Sequence, residues 1–328
     1  LLSLRKKTKI MTKIRSIIAG CGSFLPENIM TNDDLAQRVD TSDEWITQRT
    51  GIKQRHIASA TQDTAFMATK AAEAALKDAG YTGADIDTVI VATTTAGRAF
   101  PSVAVKVQHD LGATGGAAFD LQAACAGFVY AISTASALIE TGQASRVLVI
   151  GADKYSDILD WTDRNTCVLF GDGAGAVVLE GNVQSGTFTD QGVLSTHLKA
   201  NGAHTEILKT GDKNTIEMDG KDVFRYAVQY MSESVDEILA KNNLVESDID
   251  FLVPHQANIR IIESIAKRLK MPMDRVAVTV DQHGNTSAAS IPLALDHLLK
   301  SNKVKRGDLL LLEGLGAGLT WGAALVRY

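Results

Sequence analysis

Aromatic side chains are scarce in this sequence, at 5% of its 328 residues, while glycine alone contributes 27. That balance excludes a core built on large rings and favours closely approaching helices and sheets. Cysteine is nearly absent. Cys21, Cys125 and Cys167 lie far apart along the chain, and an odd, scattered set argues against a disulfide framework or a CxxC zinc site. A reducing cytoplasm is the expected compartment. No stretch of about 18 apolar residues exists to span a bilayer; the nearest, Ala123 to Ile139, is interrupted by Ser133, Thr134 and Ser136. Charge of one sign is also lacking. Thirty-three basic residues against 38 acidic ones leave a net of −5, without the broad basic field that nucleic acid requires. With 45% apolar residues, disorder is excluded too. Residues 1–10, LLSLRKKTKI, are basic without an apolar stretch, so they read as a tag remnant or extension rather than a signal peptide.

What is present is a repeat whose period is close to half the chain length. Asp85-Ile86-Asp87 and Asp248-Ile249-Asp250 each precede an apolar run. Upstream, Ala68, Ala72, Ala75 and Leu76 match Met231, Val235, Ile238 and Leu239 at helical spacing; downstream, Leu148 and Gly151 match Leu311 and Gly314. Every pair has the same offset. Constant register across four elements indicates duplicated halves, here 11–182 and 183–328. Each half alternates strands and helices, which predicts α/β architecture. The long apolar segment after Cys125 predicts a buried helix between layers.

Three junctions carry candidate chemistry. Cys125 follows the strand-like run 117–121 and opens that buried helix, where unpaired N–H groups and the helix dipole favour a thiolate; a small core residue is the plain alternative. His255 follows the strand FLVP, and Asn285 follows an expected strand over 276–280. A hydrogen-bonded structural histidine and a helix-capping asparagine are the plain readings of these two. The repeat makes the Cys125 and Asn285 junctions equivalent, so a pseudo-twofold relation brings all three to one interface. A thiol with a histidine and an amide donor suits acyl transfer through a thioester. FGDGAGA contains G-x-G-x-G but precedes a strand, so it reads as a tight turn and not a dinucleotide site. His197 and His204 read as exposed loop residues rather than metal ligands.

AACAGF around Cys125, VPHQAN around His255 and HGNTSAAS around Asn285 resemble the active-site signatures of the β-ketoacyl-[acyl-carrier-protein] synthase III family. TSDEWITQRTGI (41–52), FGDGAGA and the C-terminal LTWGAALVRY also fit. The resemblance implies a thiolase-like fold, two βαβαβαββ-type halves in a five-layer αβαβα arrangement, as a homodimer. It implies condensation of acetyl-CoA or a similar acyl-CoA with malonyl-acyl-carrier protein, with no metal or redox cofactor. By the same resemblance Cys125, His255 and Asn285 are catalytic, and backbone N–H groups of Cys125 and Ala317 form the oxyanion hole. Trp45, Arg49 and Arg164 bind CoA; Phe100 and Leu315 belong to the acyl pocket. Arg225, Arg260, Lys267 and Arg268 receive the acidic carrier protein. Leu315 and Leu319 stand where family members often have Phe, and Asn165 where some have Gly. The alternatives are a relative priming a specialised metabolite with a longer, branched or aromatic acyl-CoA, and a non-catalytic scaffold.

Overall fold

The computed structural model describes residues 12–328; the extension expected at residues 1–10 lies outside the described residues. Two sheets face one another. The first contains Lys13–Phe24 (β1), Thr88–Ala92 (β2), Ala117–Leu121 (β3), Arg146–Lys154 (β4) and Asp172–Gln184 (β5), in the order β1-β5-β4-β2-β3. The second contains Gly192–Ala200 (β6), Phe251–Pro254 (β7), Leu309–Gly316 (β8) and Thr320–Arg327 (β9), in the order β7-β8-β9-β6. The two strand pairs that the repeat relates, β2 with β4 and β7 with β8, are both parallel, and the last strands return antiparallel.

Five principal helices complete the layers: Thr64–Ala79 (α1), Gly127–Glu140 (α2), Gly220–Asn242 (α3), Ile259–Arg268 (α4) and Ser290–Lys300 (α5). Alternation along each buried strand decides which layer a residue meets. Val147 and Val149 face inward with Leu310 and Leu312, and enclose Phe128, Ile132 and Ala135 of α2 with Ile291 and Leu295 of α5. Leu148 and Ile150 face outward onto Ala68, Ala72 and Leu76 of α1. Leu309 and Leu311 face outward onto Val235 and Ile238 of α3 and Ile262 and Ile265 of α4. The result is a thiolase-like αβαβα arrangement, with α2 and α5 as its middle layer.

Glycine explains how the middle helices approach so closely. A Cβ on Gly151 would lie 2.1 Å from the Ala288 carbonyl oxygen, and one on its repeat partner Gly314 would lie 3.3 Å from that of Cys125. The last two glycines of FGDGAGA do the same work against α5. Gly173 and Gly175 lie inside β5 and not in a turn, because a Cβ at 175 would meet Pro292 of α5 at 2.7 Å. β5 continues to Gln184, past the expected boundary at 182, since its last residue still pairs with Lys13.

The strand expected over 276–280 does not form. Val276 makes an isolated bridge to Leu252, and Val280–His283 is a helical turn. The Gln256 side chain takes over the pairing: Nε2 donates to the Pro254 and Ala277 carbonyls, and Oε1 accepts from Thr279 N and Val280 N. His197 is likewise not in a loop. It lies in β6, half-buried, with Nε2 2.6 Å from Glu237.

Candidate active site

Cys125 sits in a tight turn, Ala124–Ala126, that runs directly into α2. It is 4% exposed. Burial pushes its thiol up to about 12, against a hydrogen bond with Ser287 that pulls it down. Burial therefore works against the thiolate that the helix N-terminus favours. Gly316 of β8 lies against the same residue. A Cβ there would fall 2.5 Å from Cys125 N, so the bare glycine keeps that N–H accessible. Thr320 Oγ1 donates to the Ala123 carbonyl at 2.8 Å and ties the turn to β9. Cys21 and Cys167 are buried core residues.

His255 extends β7 by one bond, its N–H donating to the Glu313 carbonyl at 2.7 Å. The ring is buried, its Nδ1 has no partner among the described residues, and burial holds it down at about 3. It is a neutral imidazole at physiological pH. Asn285 is fixed by its backbone, which accepts from Gly171 N at 3.0 Å and donates to the Leu169 carbonyl at 2.8 Å. Its Oδ1 accepts from Ser287 N at 2.9 Å. The amide nitrogen is therefore the group left to donate.

Cys125, His255, Asn285, Ala317 and Leu315 all line one cavity of about 870 Å³. An adjoining groove of about 730 Å³ is lined by Trp45, Arg49 and Asn165, and shares Leu169, Met218, Gly220 and Asn258 with the cavity. The Arg49 and Arg164 guanidiniums lie 4.4 and 5.4 Å from the Trp45 ring centre. Arg164 also donates to the Asp40 carbonyl at 2.9 Å. Phe100 stands apart, off the cavity wall and 83% exposed.

The four basic residues divide. Arg260 opens α4 with its guanidinium 5.5 Å from the ring of Phe224, a cavity-lining residue; Arg225 neighbours Phe224 in α3 and pairs with Asp222 at 3.0 Å. Lys267 and Arg268 lie at the other end of α4, about 11–12 Å along the helix. Arg268 is held there by Asp236 and Glu246.

Sequence reasoning missed four residues here. Gln256 joins the loops that carry His255 and Asn285. Ser287 touches the thiol, and Tyr155 touches Ser287. Glu313 is fully buried with neither carboxylate oxygen partnered among the described residues, and burial raises its carboxyl well above the usual range. Ser287 and Gln256 had a local signal, as polar residues in the motifs around Asn285 and His255.

Comparison with known proteins places this geometry in a family. The profile described as 3-oxoacyl-[acyl-carrier-protein] synthase III matches residues 119–202, and its C-terminal counterpart matches residues 239–328. The chain is 53% identical to the β-ketoacyl-[acyl-carrier-protein] synthase III of Bradyrhizobium diazoefficiens, over 97% of this chain and all of that one. It is 54% identical to that of Rhodospirillum centenum, over 96% and 99%. The crystal structure of 3-oxoacyl-[acyl-carrier-protein] synthase III from Aquifex aeolicus superposes with a TM-score of 0.91 at 47% identity, over 95% of this chain and 100% of that one. The priming β-ketosynthase of a polyketide biosynthetic pathway superposes at 0.89 with 35% identity, over 96% of each. With a superposable fold and about half of its residues identical over nearly its whole length, the chain belongs to the 3-oxoacyl-[acyl-carrier-protein] synthase III family of condensing acyltransferases.

Proposed function

We propose that the chain condenses a short acyl-CoA with malonyl-acyl-carrier protein through an acyl-Cys125 intermediate. The observation that carries this is the convergence of Cys125, His255 and Asn285, from three separate junctions, on one cavity wall. Cys125 attacks the acyl-CoA thioester. Its own N–H and that of Ala317 stabilise the oxyanion, each donor worth about 3–4 kcal/mol by analogy with measured oxyanion holes. Loss of CO₂ from the malonyl thioester leaves an enolate. Neutral His255 and the amide of Asn285 donate to its oxygen, and the carbon attacks the acyl-Cys125 carbonyl.

The neighbouring groove receives CoA. Trp45 and Arg164 flank its adenine, and Arg49 meets its phosphates. A ring between Trp45 and Arg164 needs about 7 Å, two van der Waals spacings, so the present 5.4 Å opens on binding. Arg225 and Arg260, beside the cavity-lining Phe224, attract the acidic carrier protein, with Lys267 and Arg268 as an outer part of the same field. Phe100, exposed here, is covered by the partner subunit of a homodimer and reaches its acyl pocket.

Radiolabelled acetyl-CoA labels the wild type and not Cys125→Ala; equal labelling would sink the nucleophile assignment. His255→Ala and Asn285→Ala are acylated but do not condense; full condensation in both removes the enolate-stabilising role. Leu315 on the cavity wall and the likeness to a priming β-ketosynthase favour a second reading, a longer or branched primer. A panel of acyl-CoAs of increasing length separates the two.

A further inference from the structure

Among the described residues, Arg55 is the largest side chain that is fully buried. It stands at the centre of a short strand, Gln54–His56. Burial lowers its guanidinium to about 10, which leaves it charged at physiological pH. A buried cation is costly unless it is paired or well hydrogen-bonded. Among the described residues no carboxylate pairs with this one; its bonds go to three neutral oxygens. Nη1 donates to the Met30 carbonyl at 3.2 Å and to Asn32 Oδ1 at 2.9 Å, while Nη2 donates to the Val168 carbonyl at 2.7 Å. The two nitrogens therefore hold two different segments of the chain.

The first segment supports one wall of the groove assigned to CoA. Asn32 Nδ2 donates to Asp43 Oδ1 at 2.8 Å and to the Ile52 carbonyl at 2.7 Å, gripping the helix Asp43–Thr50 from both ends. That helix gives Trp45, Arg49 and Thr50 to the groove. The second segment gives it Asn165, Val168 and Leu169. Arg164 also ties the segments together, through Asp40, but that pair is exposed and contributes little. The second segment has another task. The Leu169 carbonyl, next to Val168, accepts from Asn285 N at 2.8 Å, and Gly171 N donates to the Asn285 carbonyl at 3.0 Å. Arg55 packs against this pairing: a Cβ on Gly171 would lie 3.0 Å from Arg55 Cβ, and one on Gly284 would lie 3.3 Å from it.

We propose that Arg55 is a positioning residue that fixes the two walls of the CoA groove relative to each other and, through the second wall, the amide of Asn285. The inference rests on the roles of the groove and of Asn285 given above. A planar guanidinium suits the task, because its rigid fork holds both segments at a set separation. Opening of the Trp45–Arg164 gap for adenine strains the exposed Arg164–Asp40 contact and leaves the buried tie to keep the walls in register. Arg55 lines neither the cavity nor the groove. It acts through Trp45 and Arg49 on one side and through Asn285 on the other. Among the described residues it has no hydrogen bond to Cys125 or to the turn that carries it, so the chemistry of acylation is outside its reach.

The test uses Arg55→Met, which removes the donors, and Arg55→Lys, which keeps the charge but replaces the fork with one ammonium. Calorimetry gives the CoA dissociation constant. Rapid quench gives two rates: single-turnover acylation at saturating acetyl-CoA, and condensation of the preformed acyl-enzyme with malonyl-acyl-carrier protein. In both variants CoA is expected to bind about tenfold more weakly, the scale of a lost base stack. Condensation is expected to slow about 100-fold, the scale of a misplaced group, while saturated acylation keeps its wild-type rate. A partly unfolded population lowers amplitudes and leaves these constants in place. Unchanged constants therefore overturn the proposal, as do wild-type constants in Arg55→Lys or a proportional loss of all three. Asn32→Ala, which loosens the first wall alone, serves if neither Arg55 variant folds. It is expected to weaken CoA binding and spare condensation; wild-type CoA affinity overturns the proposal. Wild-type CoA affinity in Trp45→Ala sinks the groove assignment instead, and full condensation in Asn285→Ala sinks the enolate role.

Discussion

Ala124 and Ser287, equivalent positions of the two halves, hold the same left-handed backbone, with φ of 46° and 51°. Each lies in the turn that opens a middle-layer helix. Such a conformation costs a non-glycine residue about 1–3 kcal/mol and persists only where its surroundings enforce it. Here the same turn is used twice. One copy delivers Cys125 against Gly316; the other delivers Ala288 against Gly151. The second copy has no nucleophile, but its strained residue carries the hydroxyl that meets the first copy's thiol.

Ala124→Gly is expected to leave stability unchanged or raise it by up to about 1 kcal/mol, because glycine adopts positive φ without the Cβ penalty. Urea unfolding measures it. A loss of more than about 1 kcal/mol would show that the alanine methyl matters more than the strain.

Gly316→Ala places a Cβ 2.5 Å from Cys125 N and 2.9 Å from the Ala123 carbonyl oxygen. Acylation is expected to fall about 100-fold to 1,000-fold, the scale of a lost oxyanion donor, together with a lower melting temperature. Rapid-quench acylation and thermal unfolding report the two effects separately. A folded variant with a wild-type acylation rate contradicts the oxyanion assignment.

Trp45→Ala is expected to raise KM for the acyl-CoA about tenfold while kcat holds, since stacking a base on an aromatic face is worth about 1–3 kcal/mol and is lost equally from ground and transition states. Steady-state kinetics with varied acyl-CoA check it. An unchanged KM removes Trp45 from the CoA site.

His283 is pushed down to about 4, first by burial and then by the neighbouring His56. Its folded value lies below its unfolded one, so the unfolded chain binds the proton first and stability falls as pH drops below about 6.5. His283→Gln cannot titrate. Between pH 6.5 and 4 it is expected to lose less stability than the wild type, by up to about 3 kcal/mol. Buried carboxylates raised in value act in the opposite direction, but equally in both proteins. Urea unfolding across this range measures the difference; parallel pH curves refute it.

Much of the fold was legible because it rests on local periodicity. Ala68, Ala72 and Leu76 reveal one outer helix, and Met231, Val235 and Leu239 its repeat, because a helix face must recur at 3.6 residues wherever it packs. The expected strand at 276–280 misled for a non-local reason, since the Gln256 side chain supplies the pairing a neighbouring strand would have supplied.

The sequence by itself determined the duplication, the buried strands, the middle helix and the junctions that carry Cys125 and His255; at Asn285 it placed the turn before a helix but not the segment that leads into it. Only the tertiary structure decided the state of those groups. Whether Cys125 is thiol or thiolate depends on how much water the assembled layers leave around sulfur. Its bond to Ser287 spans 162 positions, and those from Ser287 to Tyr155 and from Ala288 to Asp153 span 132 and 135. No local pattern encodes such contacts. They exist because two sheets, each ordered by its own repeat, close over the same pair of helices.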